Sequence, residues 1–196
     1  MANEYAELAE LKQAVGIDAD DPSEDALLTR ALTAASRSID TACGRRFWLD
    51  AMPSARLFRL TGRTVQDADG VRVLVDDIGA APVLVETGAS ASWTAVDDYE
   101  TGPDNALALG RPITSLRQAG SWGGIAGRVR VTARWGWPEV PPEIGQAALL
   151  QANRLFKRKG SPEGVTGSAE WGVVRLSRRD PDVWALIEHY VLPGFG

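Results

Sequence analysis

Few residues in this 196-residue chain could do nucleophilic or metal chemistry. There is one histidine, His189, and one cysteine, Cys43. A Ser-His-Asp or Cys-His arrangement would have to use His189, and no Ser or Cys stands at a suggestive spacing from it. A single cysteine forms neither an intrachain disulfide nor a cysteine-based zinc site. Cys43 falls on the apolar stripe of a predicted helix, where a small buried side chain needs no chemical role.

Acidic residues are plentiful, but they give no persuasive pair for acid–base catalysis. The doublets Asp76-Asp77 and Asp97-Asp98 are adjacent in sequence, and adjacent side chains on a strand point to opposite faces. The segment Asp67-Ala68-Asp69-Gly70 resembles the start of a calcium loop, but it lacks the remaining oxygen ligands and the distal glutamate. We predict a turn there, no catalytic residue, and no metal or other cofactor for the chain.

Two further segments have a structural explanation. The glycine-rich stretch 120–127 leads into a predicted strand rather than a helix and lacks the Lys and Ser/Thr of a phosphate loop, so we predict a hairpin loop. The segment Trp135-Gly136-Trp137-Pro138 stands between a predicted strand and a helix. Aromatic residues at such a junction are typical of a core or a subunit contact.

Charge is spread unevenly along the chain. The net charge is −5, but residues 1–26 carry eight acids and one base, whereas residues 154–179 carry seven bases and two acids. The acidic balance argues against a general nucleic-acid binder. Opposite charges at the two ends would suit contacts between copies of the chain, and two solvated faces are the other interpretation.

The N-terminal region predicts two helices. Asn3 can cap the first, and Gly16 is placed to end it. The second is predicted from the sequence Asp21-Pro22-Ser23-Glu24, which has a cap, a proline at the first helical position and a glutamate three residues after the cap. Its apolar stripe ends at Cys43, and Gly44 follows as the stop.

The middle of the chain changes to turn residues every eight to twelve positions with short β-branched runs between them. This pattern predicts an antiparallel sheet or barrel. The predicted strands are Arg56–Leu60, Val71–Asp76, Val83–Thr87, Pro112–Arg117 and Arg128–Trp135. In the last of these, Val129, Val131 and Ala133 alternate with polar residues, which indicates one buried face.

Helical patterns return at residue 143 and run to Lys159. Residues 161–170 are small and polar and predict a loop, 171–177 are extended in character, and Asp180-Pro181 begins a last helix. We therefore predict an α+β fold: an antiparallel four-helix frame with a small β-sheet or barrel insertion in the middle and an extended C-terminal arm. The helical core would comprise 1–46 and 138–196, and the insertion 47–137.

Part of this pattern resembles a known family. The second helix ends before "CGRRF", and later come "WGWPEVPPEIG", a helix with a basic end, and "WGVVRLSRRDPDV". Residues 131–184 carry most of the likeness. The chain resembles the head-to-tail adaptors, or head–tail connectors, of long-tailed bacteriophages, especially those of actinobacteria.

The resemblance implies a structural neck protein rather than an enzyme. Such adaptors form a ring, usually of twelve subunits, that joins the portal to the stopper and lets DNA pass through its channel without being read. The implied location is the virion neck, with assembly in the host cytoplasm and no membrane contact. We expect the C-terminal arm to become ordered on the portal or on a neighbouring subunit. The predicted contact residues are Trp171, Val173, Arg175, Leu176, Arg178, Arg179, Trp184 and Phe195.

Other functions remain open at this point. One is a different neck or tail-completion protein, a stopper or terminator, which should be richer in strands and lack the helical frame. Another is a small-ligand module in which the insertion binds its ligand through Trp93 or Trp122. An enzyme would have to use scattered carboxylates or His189 and is the least favoured. The ring number, the host and the role of the insertion are not predicted.

Overall fold

The computed structural model describes residues 3–123, 127–158, 165–166, 174–175 and 180–193. It divides into two compact units. The first, here called the helical unit, comprises Met1–Arg46 and Val140–Gly196, and the second, the sheet unit, comprises Phe47–Glu139.

Two helices open the helical unit, α1 at Leu8–Val15 and α2 at Asp25–Cys43. Both end at a glycine in the left-handed conformation, Gly16 with φ 76° and Gly44 with φ 66°, as the sequence predicts, because glycine adopts this conformation without steric cost.

The starts of these helices differ from the predictions. A reciprocal capping box between Glu7 and Glu10 begins α1, in place of Asn3. The predicted start of α2 at Asp21 is early. The Asp21 carboxylate accepts a hydrogen bond from the Ser23 N–H at 2.9 Å. This local bond forms an Asx-type turn before the helix, which competes with the helical conformation.

Helices α3, at Pro142–Lys157, and α4, at Pro181–Ile187, complete the helical unit. Asp180 caps α4 by accepting from the Asp182 and Val183 N–H groups, as its position before Pro181 predicts. The core between α1, α2 and α3 is apolar and rich in alanine, which allows close helix contact. It contains Leu11, Leu28, Ala31, Leu32, Ala35 and Ala152.

The sheet unit contains eight strands in two antiparallel sheets. They are β1 Ser54–Arg59, β2 Thr64–Asp67, β3 Gly70–Ile78, β4 Leu84–Ala89, β5 Ser92–Ala95, β6 Glu100–Gly102, β7 Ile113–Gln118 and β8 Arg128–Ala133. The first sheet has the order β1-β8-β4-β5 and the second β2-β3-β7-β6. The turn predicted at 67–70 is confirmed as the tight β2–β3 connection, with Asp67 opposite Gly70.

One shared core holds the two sheets together. The buried face of β8, with Val129, Val131 and Ala133, confirms the predicted alternation, and it joins Val73 of β3 and Leu116 of β7 in the same cluster. At one edge a bridge between Ile78 and Trp135 connects the sheets directly. Apolar faces from both sheets thus exclude water from one interior.

The glycine-rich stretch after β7 does not form the predicted hairpin. Its flanking strands, β7 and β8, lie in different sheets and do not pair with each other. Trp122, which lies between them in sequence, is 1% exposed. Its indole N–H donates to the Val71 carbonyl at 2.7 Å, and its own carbonyl accepts from the Thr87 hydroxyl. A hairpin would leave this tryptophan outside the core that it fills.

The prediction of a four-helix frame is wrong, although the α+β class fits. Within the described residues there are four α-helices and two four-stranded antiparallel sheets. Helices α1 and α4 have eight and seven residues, too short to form a bundle by themselves. Strands β2, β5 and β6 escaped the sequence analysis because they have only three or four residues and none of these is buried, so they lack the alternation that predicts a strand.

The predicted C-terminal arm lies mostly outside the described residues. Two short strands are described within it, β9 Val165–Thr166 and β10 Val174–Arg175, which pair antiparallel. No helix in the described ranges has the length and apolar character needed to cross a membrane.

Candidate subunit interface

Six of the eight predicted contact residues lie outside the described residues: Trp171, Val173, Leu176, Arg178, Arg179 and Phe195. Of the other two, Arg175 is described at the backbone, where it pairs with Val165. Trp184 lies half-buried on α4, in a depression shared with Ile39 of α2 and Gln151 of α3. The contact role of all eight stays a prediction.

Cys43 and His189 are the two residues that the sequence analysis considered as nucleophile and base. Cys43 is fully buried, its Sγ lies 3.9 Å from the Ile187 carbonyl oxygen, and burial raises its pKa to about 11. His189 is exposed and contacts the Tyr190 ring. In the part of the chain that the structure describes, no three His, Cys, Asp or Glu side chains are grouped so that they could hold a metal ion.

The tryptophans considered for ligand stacking are engaged in packing. Trp122 fills the sheet-unit core and is not available to a ligand. Trp135 and Trp137 are also buried, and their indole N–H groups donate to the Ser54 carbonyl and to the Asp77 carboxylate. Trp93 lies under the Arg130 guanidinium, 4.4 Å from the ring centroid.

The outer face of the first sheet carries a pair of like charges. In the β1–β8 register, Phe58 lies opposite Val129, and both point into the core. The next pair along is Arg59 opposite Arg128, and both are exposed. Because directly opposite residues share a face, two positive side chains project from neighbouring positions, and like charges directly opposite each other destabilise a strand pair.

Neither arginine is neutralised by the described residues. The other arginines that project from this unit's strands have partners: Arg117 binds Glu100 and Asp69, and Arg72 binds Asp67. Arg59 and Arg128 form no ion pair with any residue that the structure describes. An anionic partner from outside the chain would relieve their repulsion.

Next to this pair lies Arg130, whose charge is neutralised by a residue of the same sheet. Arg130 donates two hydrogen bonds of 2.6 Å to the Glu86 carboxylate and lies over Trp93. These hydrogen bonds, together with the positive charge, lower the Glu86 pKa. Leu57, directly opposite Arg130 on β1, is 55% exposed. The face therefore combines an unneutralised positive pair with exposed apolar surface, which is typical of protein interfaces.

The helical unit presents the opposite charge at the turn between α1 and α2. Asp18, Asp20 and Asp21 are all exposed there. Hydrogen bonding from Ser23 lowers the Asp21 pKa, so this group is ionised at neutral pH. Leu27, in the first turn of α2, is 42% exposed. We call residues 18–21 the acidic turn.

A buried lysine holds the acidic turn from within. The Lys12 side chain is 5% exposed, and its Nζ donates to the carbonyls of Ala19 at 2.9 Å and Asp21 at 2.8 Å. The same Nζ lies 2.6 Å from the Asp25 carboxylate. A buried ammonium requires such partners. It fixes the backbone of the turn while the three aspartates remain in solvent.

Sequence reasoning missed both features. Lys12 was only one of three lysines in the composition, although a lysine on the apolar side of a helix before an acidic turn was the available signal. The opposition of Arg59 and Arg128 depends on a pairing register between residues far apart in sequence, so no local pattern could have found it.

The sheet face and the acidic turn thus carry charges of opposite sign. Residues 5–76, a little over a third of the chain, match the family model described as phage gp6-like head–tail connector protein. The matched segment spans α1, α2, β1, β2 and most of β3. The predicted resemblance to head–tail connectors is thereby confirmed, and no comparison addresses the actinobacteriophage type.

The whole chain also resembles solved neck structures in fold. It matches a chain in the neck of an empty gene transfer agent (GTA) particle computed with C6 symmetry. The TM-score is 0.54 and the identity 20%, and the match covers 100% of this chain and 98% of that chain. It matches another in the neck of a native GTA particle computed with C12 symmetry (TM-score 0.50, 18% identity, 100% and 98% covered). At these identities the likeness concerns the fold. No curated protein matches the sequence.

Proposed function

We propose that this protein is a head–tail connector, a structural neck protein of a phage-like virion that forms a ring between the portal and the stopper. The match of residues 5–76 to the head–tail connector family carries the proposal. The likeness of fold to GTA neck chains over the full length supports it.

The ring proposal includes twelve copies around a channel through which DNA passes without sequence-specific contact. Subunits in such a ring meet head to tail, so each subunit must carry two different, complementary surfaces. The chain offers charge of both signs in separate regions, with the acidic segment 1–26 and the basic segment 154–179. We propose assembly in the host cytoplasm, portal binding during virion assembly in a long-tailed phage, and a role without catalysis.

The C-terminal arm and Trp184 are the proposed contacts with the portal or a neighbouring subunit. We also propose that 47–137 is an inserted domain of a helical adaptor core. Reversing the charge of Arg175, Arg178 and Arg179 should weaken assembly on the portal. For each single reversal in this set, Arg111→Glu is the matched control, because it makes the same charge change at an exposed arginine that forms no ion pair in the described part of the chain.

Co-sedimentation with the portal protein from the same genome, followed by negative-stain microscopy, tests the proposal. The expected result is a second ring stacked on the narrow end of the portal, with a whole-number ratio of copies of this chain to portal subunits. A portal that stays bare, with its own ring intact, would refute the connector role. Binding only to a portal that already carries another connector would favour the stopper alternative.

A further inference from the structure

We infer that the outer face of the β1-β8-β4-β5 sheet, centred on Arg59 and Arg128, docks the acidic turn of a second copy of this chain. The inference rests on the proposed ring and names its contact. It differs from the pairing of residues 1–26 with 154–179, because the basic partner lies on the sheet unit.

The opposition of Arg59 and Arg128 is unfavourable among the described residues. Arg59 and Arg128 are directly opposed on adjacent strands, both exposed and both without an ion pair among the described residues. The glycine-rich stretch that precedes Arg128, residues 119–127, contains no acidic residue. Like charges in this position destabilise the strand pair, and a partner that supplies carboxylates turns the same pair into a binding site.

The same face of the sheet also carries exposed leucines. Leu57 lies beside the arginine pair on β1, and Leu84 of β4 lies on the same outer face, opposite Thr132. Both leucines are exposed. Exposed aliphatic side chains favour a protein partner with its own apolar surface over a phosphate backbone, which offers charge alone.

The acidic turn of a second copy offers the opposite charge. The acidic turn has three exposed aspartates, and the exposed Leu27 follows them within the first turn of α2. Lys12 fixes the backbone of this turn from the inside. The carboxylates of this turn complement the charge of the two arginines, and a backbone held in place by Lys12 reduces the ordering cost of binding.

The Arg59→Glu variant separates stability from assembly. It places a carboxylate opposite Arg128, so the strand pair gains an attractive cross-strand contact and the variant should unfold at a higher urea concentration than the wild type. The same change should weaken self-association about tenfold or more, since each lost charge-assisted contact of about 1.4 kcal/mol corresponds to a factor of ten. Arg111→Glu, with the same charge change, should leave self-association as in the wild type.

A mixing experiment makes the test specific to two surfaces. One variant carries Arg59→Glu and Arg128→Glu, and the other carries Asp18→Arg and Asp20→Arg. Each alone should fail to self-associate, measured by sedimentation velocity with the full chain, both free and with the portal ring. An equimolar mixture should restore assembly, because the two variants can alternate around a ring with every contact again of opposite charge.

The outcomes distinguish the inference from the proposed function. The inference is overturned if Arg59→Glu leaves the ring on the portal intact, or if the mixture does not restore assembly. In both cases the connector role stands. Arginine-dependent self-association without portal binding supports the inference and overturns the connector role. A wild-type chain that never self-associates overturns the inference. If the arginine variant instead loses affinity for duplex DNA and still assembles, the face binds nucleic acid and the inference is wrong.

Discussion

Replacing Lys12 with methionine removes a buried charge while keeping the unbranched side chain down to the position of Cε. Lys12→Met should destabilise the helical unit, because the ammonium is the group that joins α1 to the acidic turn and to the start of α2. It forms two hydrogen bonds to backbone carbonyls and one ion pair, with Asp25.

The magnitude follows from these three contacts. Hydrogen bonds to a charged group contribute about 1.5–3 kcal/mol each, and loss of one partner of a buried ion pair costs about 3–5 kcal/mol. Water offsets part of this loss, since the Asp25 carboxylate is 37% exposed and the turn lies at the surface. We expect the free energy of unfolding to fall by about 2–4 kcal/mol.

Urea unfolding followed by far-ultraviolet circular dichroism measures the change. With a denaturant slope of about 1–3 kcal/mol per molar urea, the midpoint should fall by about 1–2 M. Lys157→Met is the matched control, because Lys157 is exposed at the end of α3 and the change should stay within about 0.5 kcal/mol. If the two variants unfold together, the buried ammonium does not hold the turn and the reasoning fails.

Three further variants or measurements test the rest of the structure. Gly136→Ala should lower the free energy of unfolding by about 4 kcal/mol or more, because the residue has φ 112° and an added Cβ would lie 1.8 Å from the Trp48 carbonyl oxygen. Gly62→Ala, with open space around it, should lower it by about 1–2 kcal/mol. Equal losses in urea unfolding would contradict the packing described. Arg130 holds the Glu86 pKa below its usual 4.5, so the stability that the pair contributes is present above that pH and is lost as the pH falls through the lowered pKa of the folded state. In Glu86→Gln, the free energy of unfolding measured across acidic pH should lack this pH-dependent loss. A profile like that of the wild type would contradict the role of the pair. Because burial raises the pKa of Cys43 from 9.0 to about 11, a thiol reagent should react about a hundredfold more slowly with the folded than with the unfolded chain from ionisation alone, and similar rates would show an accessible thiol.

Local signals predicted the helices well. Gly16 and Gly44 end α1 and α2 as predicted, and Asp180 caps α4. Each depends on residues within a single turn, which the sequence displays directly. The start of α2 was misplaced because Asp21 and Ser23 can form either a helix cap or a local turn, and the turn prevails.

Long-range pairing could not be predicted in the same way. The alternation in Arg128–Ala133 identified a strand and its buried face, but its neighbours are β1 and β4, more than thirty residues away in sequence. The hairpin predicted for 120–127 was wrong for this reason. The candidate site shares the difficulty, because the outward direction of Arg128 was predictable, whereas the presence of Arg59 beside it depends on register.

The two ends of the sheet unit lie side by side. Strand β1 pairs with β8, and the Asp50 N–H donates to the Trp135 carbonyl at 2.8 Å. The chain leaves α2 at Cys43 and enters α3 at Pro142, so packing these helices together first would close a loop of about a hundred residues. Once the sheets have formed, the effective loop has about fifteen residues, and the free-energy cost of closing it is lower by about 2 kcal/mol. Formation of the sheets therefore brings the helices α2 and α3, distant in sequence, together as near neighbours along the chain.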